Sequence, residues 1–276
     1  MPPTPAAAPA PATPLDPMIV RGVNWIGLYT MTMKEVRRFA KVYWQTVIAP
    51  VINTALYYVV FSVAFGTQNR GVVEGEPYLT FLLPGLLMMG MAQNAFANTS
   101  SSFMIAKVQG SIVDVLMPPL SAGELLTGYV AGGVLRGICV GLASVLVMVP
   151  FAHLPLANPI LIVVYGLLGS VFMALLGVLA GIWAEKFDHM AAVTNFVIMP
   201  LTMLSGTFYS ATRLAHGWMA LAHANPFFYM IDGFRAGFIG HADMPLGIGM
   251  VMLSALCVAL WLVAYLLLKS GYKIRA

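Results

Sequence analysis

The sequence predicts an all-α integral membrane protein, and three observations carry that prediction. Of its 276 residues 60% are hydrophobic and only 9% are charged, where a soluble domain has roughly 25% charged. A soluble fold of this length has too little interior to hide so much apolar surface. The apolar residues also gather in runs of about 20, the length a helix needs to cross the hydrocarbon core of a bilayer. Finally, lysine and arginine are rich in some connections between the runs and sparse in others, which gives the chain two unlike faces. The net charge of +4 comes from that asymmetry and implies no nucleic acid partner.

The elements follow in order. Residues 1–17, MPPTPAAAPAPATPLDP, are Pro/Ala low complexity without the basic start and apolar core of a signal peptide. They are expected to form a disordered cytoplasmic tail, leaving residues 18–276 as one transmembrane domain. Met18 to Lys41 carries Arg21, Lys34, Arg37, Arg38 and Lys41 with Trp25, Leu28 and Phe39 among them. That mixture predicts an amphipathic helix on the inner membrane surface; a short basic linker is the plainer alternative. Six spans are then predicted, at about Tyr43–Gly66, Tyr78–Met104, Leu125–Pro150, Pro159–Ala184, Met190–Leu204 and Leu246–Leu268. The fifth is short. The second holds Pro84 and the polar set Gln93, Asn94, Asn98, Thr99, Ser100, Ser101 and Ser102.

Six crossings put both termini on one side. Arg21, Lys34, Arg37, Arg38, Lys41, Lys107, Lys186, Lys269, Lys273 and Arg275 share that side, ten of the fourteen basic residues. It is therefore expected to be cytoplasmic. The opposite face receives Ser205–Pro245, a connection apolar in parts and broken by several glycines and Pro226. Neither half of it is long enough to cross alone, which predicts two short helices dipping into the outer leaflet and returning. Asn225 and Pro226 suit the cap and first turn of the second helix. Asp232 and Arg235, three apart, share a helical face and can pair. They read either as an anchor of the hairpin or, with Tyr229, as part of an exit gate.

Four stretches resemble the ABC-2-type transport permeases, the membrane subunits of a class of ATP-driven exporters. They are RRFAKVYWQTVIAPVINTALYYVVFSVAFG (Arg37–Gly66), YLTFLLPGLLMMGMAQNAFANTSSSF (Tyr78–Phe103), GYVAGGVLRG (Gly128–Gly137), and LSGTFYS (Leu204–Ser210) followed by NPFFYMIDGFRAGFIG (Asn225–Gly240). The resemblance implies six spans, cytoplasmic termini, an amphipathic first helix and a re-entrant outer hairpin before the last span. It also implies a bacterial inner membrane location and a second permease copy, expected to be identical. Two ATP-binding cassette subunits would hydrolyse ATP, and the substrate would be amphipathic: a lipid-linked glycan, a lipo-oligosaccharide or a hydrophobic drug.

The inventory of motifs is compatible with that resemblance. A phosphate-binding loop needs G-x-x-x-x-G-K-[ST], and no GK dipeptide occurs in the chain. No cofactor is expected on this subunit, and ATP would be used by the partner. The contact surface for that partner is expected at Lys107–Glu124, KVQGSIVDVLMPPLSAGE. Pro118 and Pro119 end any helix before them, and a short helix exposing Lys107, Gln109 and Asp114 would dock as the resemblance implies. Ala184–Met190 and the first helix are secondary candidates. An ordinary connector is the alternative.

Glycine repeats at Gly128/Gly132, Gly133/Gly137/Gly141 and Gly177/Gly181 allow close helix approach, within one copy or between two. Arg136 reads as an arginine that pairs inside the bundle or contacts substrate. Asn94, Asn98 and Ser102 form a polar stripe that either bonds neighbouring helices or faces a wet pathway. Cys139 and Cys257 sit in apolar runs where a disulfide is not expected. The five histidines are scattered, without the paired spacing of metal ligands. Nucleophile elbows and metalloprotease helices have no counterpart here. No Asp or Glu falls in a span core, which disfavours the other transport reading, a stand-alone secondary carrier or channel.

Overall fold

The computed structural model describes residues 22–65, 72–73, 75–152, 154–210 and 216–273. The Pro/Ala tail, the start of the first helix at Met18, and Arg21, Gly66, Arg70, His153, Arg213 and Arg275 lie outside the described residues.

The chain is mostly helical. Helix α1 (Trp25–Ala40) begins where Asn24 caps it, its side chain accepting the Gly27 N–H at 2.8 Å. It is amphipathic as expected: Met31, Glu35 and Phe39 face inward, four residues apart, while Trp25, Ile26 and Tyr29 are exposed. A π-helical turn, Trp44–Ile48, leads into α2 (Ala49–Phe65). The Thr46 hydroxyl, hydrogen-bonded to the carbonyls of Phe39 (2.8 Å) and Val42 (3.2 Å), sits at that widened turn. A small antiparallel pair, β1 (Val72–Val73) and β2 (Glu76–Pro77), precedes α3 (Tyr78–Val108), which passes through Pro84 without ending.

Next come the five-residue α4 (Ile112–Leu116), α5 (Ala122–Met148) and α6 (Pro159–Trp183). Then α7 (Phe187–Val193), a π turn at Thr194–Ile198 and α8 (Met199–Met203) run without a break. Helices α9 (His216–Ala224), α10 (Pro226–Ile239) and α11 (Leu246–Ser270) complete the chain.

Among the described residues five helical runs are long and apolar enough to cross a membrane: Trp44–Ala64, α3, α5, α6 and α11. They coincide with the predicted spans one to four and six. The predicted fifth span corresponds to α7, the π turn and α8, which together make 17 helical residues, shorter than the other five.

Helix α3 is the axis of the bundle, with α5, α6, α10 and α2 packed around it. Glycines set the spacing. A Cβ on Gly177 of α6 would lie 2.2 Å from Thr99 Oγ1 and 2.5 Å from the Phe96 carbonyl, so only hydrogen lets α6 lie against α3. Gly137 of α5 stands in the same relation to the Met91 carbonyl, at 2.9 Å. Thr99 then donates to the Ala174 carbonyl at 2.8 Å across the seam. Both glycine rows are thus used for packing within one copy, one of the two readings the spacing allowed.

Candidate functional site

The connections separate into two groups at opposite ends of the bundle, and each group is tied together by hydrogen bonds. At one end Asn24, preceding α1, donates its backbone N–H to Glu124 at 2.5 Å and its side chain to the Pro119 carbonyl at 3.3 Å. Lys107 caps the end of α6, donating to the carbonyls of Ile182 and Ala184. Lys273, following α11, pairs with Glu185 at 2.7 Å and reaches the Trp183 carbonyl at 3.4 Å. The Lys273 ammonium holds the Glu185 carboxyl below its usual range, and Glu185 in turn raises Lys273. These are the segments that the distribution of basic residues assigned to one face.

Within that end, α4 stands between α3 and α5 with Asp114 exposed. Gln109 and Pro118 are exposed as well. One expectation for this loop needs correcting. Lys107 is half-buried with its ammonium spent on α6, because a helix that ends among carbonyls attracts a cation. Glu124 closes a capping box with Ser121 and clamps Asn24, so it joins α1 to α5. A cavity of about 690 Å³ lies between α1 and this loop, lined by Lys34, Arg38, Ser102 and Asp114 among others.

The polar stripe of α3 meets α1. Glu35 is fully buried, at 0% exposure. Its carboxylate accepts from Ser102 (2.7 Å), Asn98 (3.4 Å) and Arg38 (3.0 and 3.2 Å). Arg38 also donates to Asn98 Oδ1 (3.0 Å), the Asn98 carbonyl (2.6 Å) and Ser101 (3.2 Å). One turn further along, Asn94 accepts from Arg136 at 2.9 Å and donates to the Gly90 carbonyl. The third partner is α5, where a Cβ on Gly132 would lie 2.4 Å from that of Glu35. In this structure Asn94, Asn98 and Ser102 therefore bond neighbouring helices, and Arg136 pairs inside the bundle.

Sequence reasoning did not pick out Glu35. The signal was available: it lies midway between Met31 and Phe39, on the inward face of α1, four residues from each. It is a buried carboxylate but belongs to no span, so the expectation that span cores hold no acid stands.

At the other end α10 is buried at every residue from Phe227 to Phe238. Asn225 caps it, accepting the Phe227 N–H at 3.1 Å, and Pro226 opens the first turn as expected. The Asn225 amide also donates to the Leu201 carbonyl at 2.8 Å, joining α10 to α8. Tyr229 donates to the His223 carbonyl at 2.9 Å, closing α9 onto α10.

Asp232 and Arg235 were expected to pair with each other; both reach to other segments. Asp232 accepts the backbone N–H groups of Asp243 (2.9 Å) and Met244 (3.1 Å). Arg235 donates to the Gly206 carbonyl at 2.5 Å and lies 3.7 Å from the centre of the Phe81 ring. The connection before α9 and the one after α10 each present backbone groups toward α10, and these two side chains answer them. Gly233 and Gly237 let the helix settle on Tyr165 and Ile162 of α6.

From α1 to α10, residues 27–239, the chain matches a model of the ABC-2 type transporter. The chain belongs to the ABC-2 type transporter family. It is 37% identical over 252 residues to the inner membrane transport permease YadH of Escherichia coli K12, covering 91% of this chain and 98% of that one. The protein of the same name from Shigella flexneri matches to the same extent. Nodulation protein J of Neorhizobium galegae is 26% identical over 192 residues, 68% of this chain and 71% of that one.

This ABC-2 permease is thus a multi-pass protein of the inner membrane. Its matched region takes in α1, the α4 connection and the buried α10. Among its described residues no three His, Cys, Asp or Glu side chains are grouped to hold a metal ion.

Proposed function

We propose that this ABC-2 permease is the membrane subunit of an exporter that moves an amphipathic molecule out of the cytoplasm, driven by a separate ATP-binding cassette subunit. The substrate class is a lipid-linked glycan, a lipo-oligosaccharide or a hydrophobic drug. This chain binds no cofactor; ATP is used by the partner. The observation that carries the reading is the surface made by α1, α4 and the ends of α6 and α11. A five-residue helix with an exposed acid, held off the bundle by Pro118 and Pro119, is shaped to enter a cleft on another protein. The hydrogen-bonded ties from Asn24, Lys107 and Lys273 would carry a push on α4 into α1, α3, α5 and α6.

In this reading the basic end of the bundle and both termini face the cytoplasm. The α7–α8 run crosses as a sixth span, and α9 and α10 form a re-entrant hairpin in the outer leaflet. Two copies assemble, and two features support that step. Asn53 of α2 and Asn195 of the α7–α8 run are exposed, and among the described residues neither side chain has a hydrogen-bond partner. Each sits roughly 12–14 Å along its helix, near mid-membrane. An amide facing lipid at that depth is costly, so a second copy or a wet path between copies is the better neighbour. Asp232, Arg235 and Tyr229 then brace the roof of that path, and Asn94, Asn98 and Ser102 brace its wall.

The test is purification of the tagged permease from its native membrane in mild detergent, followed by an ATPase assay on whatever remains bound. A stoichiometric ATPase is the expected result. Replacing Asp114 with Arg should then abolish transport and stimulation of that ATPase while leaving membrane insertion intact. A homogeneous complex without an ATPase would overturn the reading in favour of a stand-alone carrier or channel.

A further inference from the structure

The transport reading leaves a cluster of cations unused. A cavity of about 720 Å³ opens between α1, the π turn before α2, Ile105 of α3 and Arg136 of α5. Five of its lining side chains are basic: Lys34, Arg37, Arg38, Lys41 and Arg136. The carboxylate nearest to them, Glu35, lies beneath the floor, where it pairs with Arg38 at 3.0 Å and Lys34 at 3.8 Å and accepts from Ser102 and Asn98. Among the described residues no carboxylate lines the cavity itself, so Arg37, Lys41 and Arg136 are left over and the cavity stays positive.

A basic amphipathic helix ordinarily spreads its charges over the headgroup layer. This arrangement differs in two ways. First, the charges converge from two elements, since Arg136 projects from α5 inside the bundle. Its guanidinium gives one N–H to Asn94, and its buried Nε has no partner among the described residues. A buried donor is costly to leave unmade, so such a group marks a place where a partner belongs. Second, among the described residues neither Arg37 nor Lys41 has a side-chain hydrogen bond or ion pair, although both border the same space. Donors are thus unspent on the inner wall and at the outer rim together.

Depth and size name the ligand. Tyr43 and Trp44, adjoining the cavity, are exposed at 49% and 67%, and such residues collect at the headgroup level of a membrane. Phe39, Val42 and Ile105 give the cavity an apolar wall. A volume in the range of about 300–1,000 Å³ takes a small polar head together with the start of its chains.

We infer that this cavity is a binding site for the phosphate headgroup of an anionic phospholipid, which stays with the permease as a resident lipid. Arg136 holds the phosphate from inside, Arg37 and Lys41 close over it from the rim, and the acyl chains run down the exposed face of α2. Because α1 and α5 both contribute, the lipid bridges the interfacial helix to the bundle.

The full chain is reconstituted in nanodiscs of phosphatidylcholine with phosphatidylglycerol as a minor component, and the lipids retained on release are counted by native mass spectrometry. The wild type should retain phosphatidylglycerol in preference to phosphatidylcholine. The double variant R37Q/K41Q, at exposed positions that do not threaten the fold, should lower that preference roughly 25-fold, at about a fivefold loss per cation. Arg136→Gln should lower it about fivefold, and Arg136→Lys should largely restore it. Equal retention of the two lipids, or an unchanged preference in R37Q/K41Q, overturns the proposal. A separate arm adds inorganic phosphate to the wild type in discs of phosphatidylcholine alone. Thermal stabilisation equal to that given by phosphatidylglycerol would make this a free-anion site and would also overturn the proposal.

Discussion

Helices α2 and α3 are neighbours in one bundle, and they are buried to very different extents. In the apolar core of α3 83% of residues are buried, and in that of the run containing α2 only 17%. Mean hydropathy runs the opposite way, 1.3 for α3 against 1.8 for α2. Helix α11, at 2.6, is only 22% buried. In lipid no hydrophobic force drives helices together, so the innermost helix is held by small residues and polar bonds, and the most apolar one is left to the acyl chains. Helix α3 fits that rule, with its Asn, Ser and Thr side chains turned toward α1, α5 and α6. Helix α2 does not, being less apolar than α11 and yet still more exposed.

The comparison breaks most sharply at Glu35, the polar group on which α1 is seated against α3. Glu35→Ala removes the anion and leaves Arg38 beside Asn98 and Ser101 without it. Breaking one side of a buried pair costs about 3–5 kcal/mol, and here the loss should fall on the docking of α1. Faster hydrogen exchange in α1, with α3 still protected, is the expected result in mild detergent. Replacing Glu35 and Arg38 together with leucine should recover most of the loss. If Glu35→Ala leaves α1 as well protected as before, polar bonding is not what holds the interfacial helix.

Gly177→Ala probes the same rule through size. The new methyl would meet the Phe96 carbonyl at 2.5 Å, and backbone in mid-helix has nowhere to go. Overpacking of this kind costs about 2–3 kcal/mol, seen as a lower midpoint of thermal unfolding. Gly247 at the start of α11 has nothing within 4 Å of the same methyl, and Gly247→Ala should stay within about 0.5 kcal/mol. Equal effects at the two glycines would mean that the α3–α6 seam is looser than its distances imply.

Much of this was legible beforehand, and the reasons differ between elements. Length and hydropathy located α3, α5, α6 and α11 to within a few residues, because a bilayer sets one thickness for all of them. Asn225 and Pro226 marked the start of α10 because capping is local chemistry. The partners of Asp232 and Arg235 were not legible. A three-residue spacing shows that two side chains share a face, but it says nothing of the loops folded over that face. Glu35 was missed for a related reason: a charged residue in a basic amphipathic helix reads as solvent-facing until the Asn94–Asn98–Ser102 stripe and Gly132 are set opposite it. Lys107 was expected in solvent because an inner loop usually exposes its cations, whereas the end of α6 claims this one.

Asp232→Asn gives a smaller effect and separates anchoring from gating. The amide keeps one acceptor for the N–H groups of Asp243 and Met244 but loses the charge, worth about 1–2 kcal/mol at a buried hydrogen bond. The loss should appear as earlier protease cleavage between α10 and α11, with α10 itself intact. Transport that falls in proportion to that loosening marks Asp232 as an anchor; transport lost at unchanged cleavage marks it as part of a moving gate.

The smallest effect on the fold is expected where α2 departs from the rule. Asn53 is exposed midway along the Trp44–Ala64 run and has no side-chain hydrogen bond among the described residues, so Asn53→Leu should change thermal stability of a single copy by no more than about 0.5 kcal/mol. If α2 faces lipid, exchanging an amide for a leucine removes a cost, and the protein should become slightly more stable with no change in assembly. If α2 faces a second copy or a wet path beside it, the same exchange removes a polar contact between chains. Disulfide cross-linking through a cysteine placed at Ile52 would then fall in the Asn53→Leu background, although each copy remains folded. The two outcomes have opposite signs, so one substitution decides whether the low burial of α2 means a lipid face or an interface.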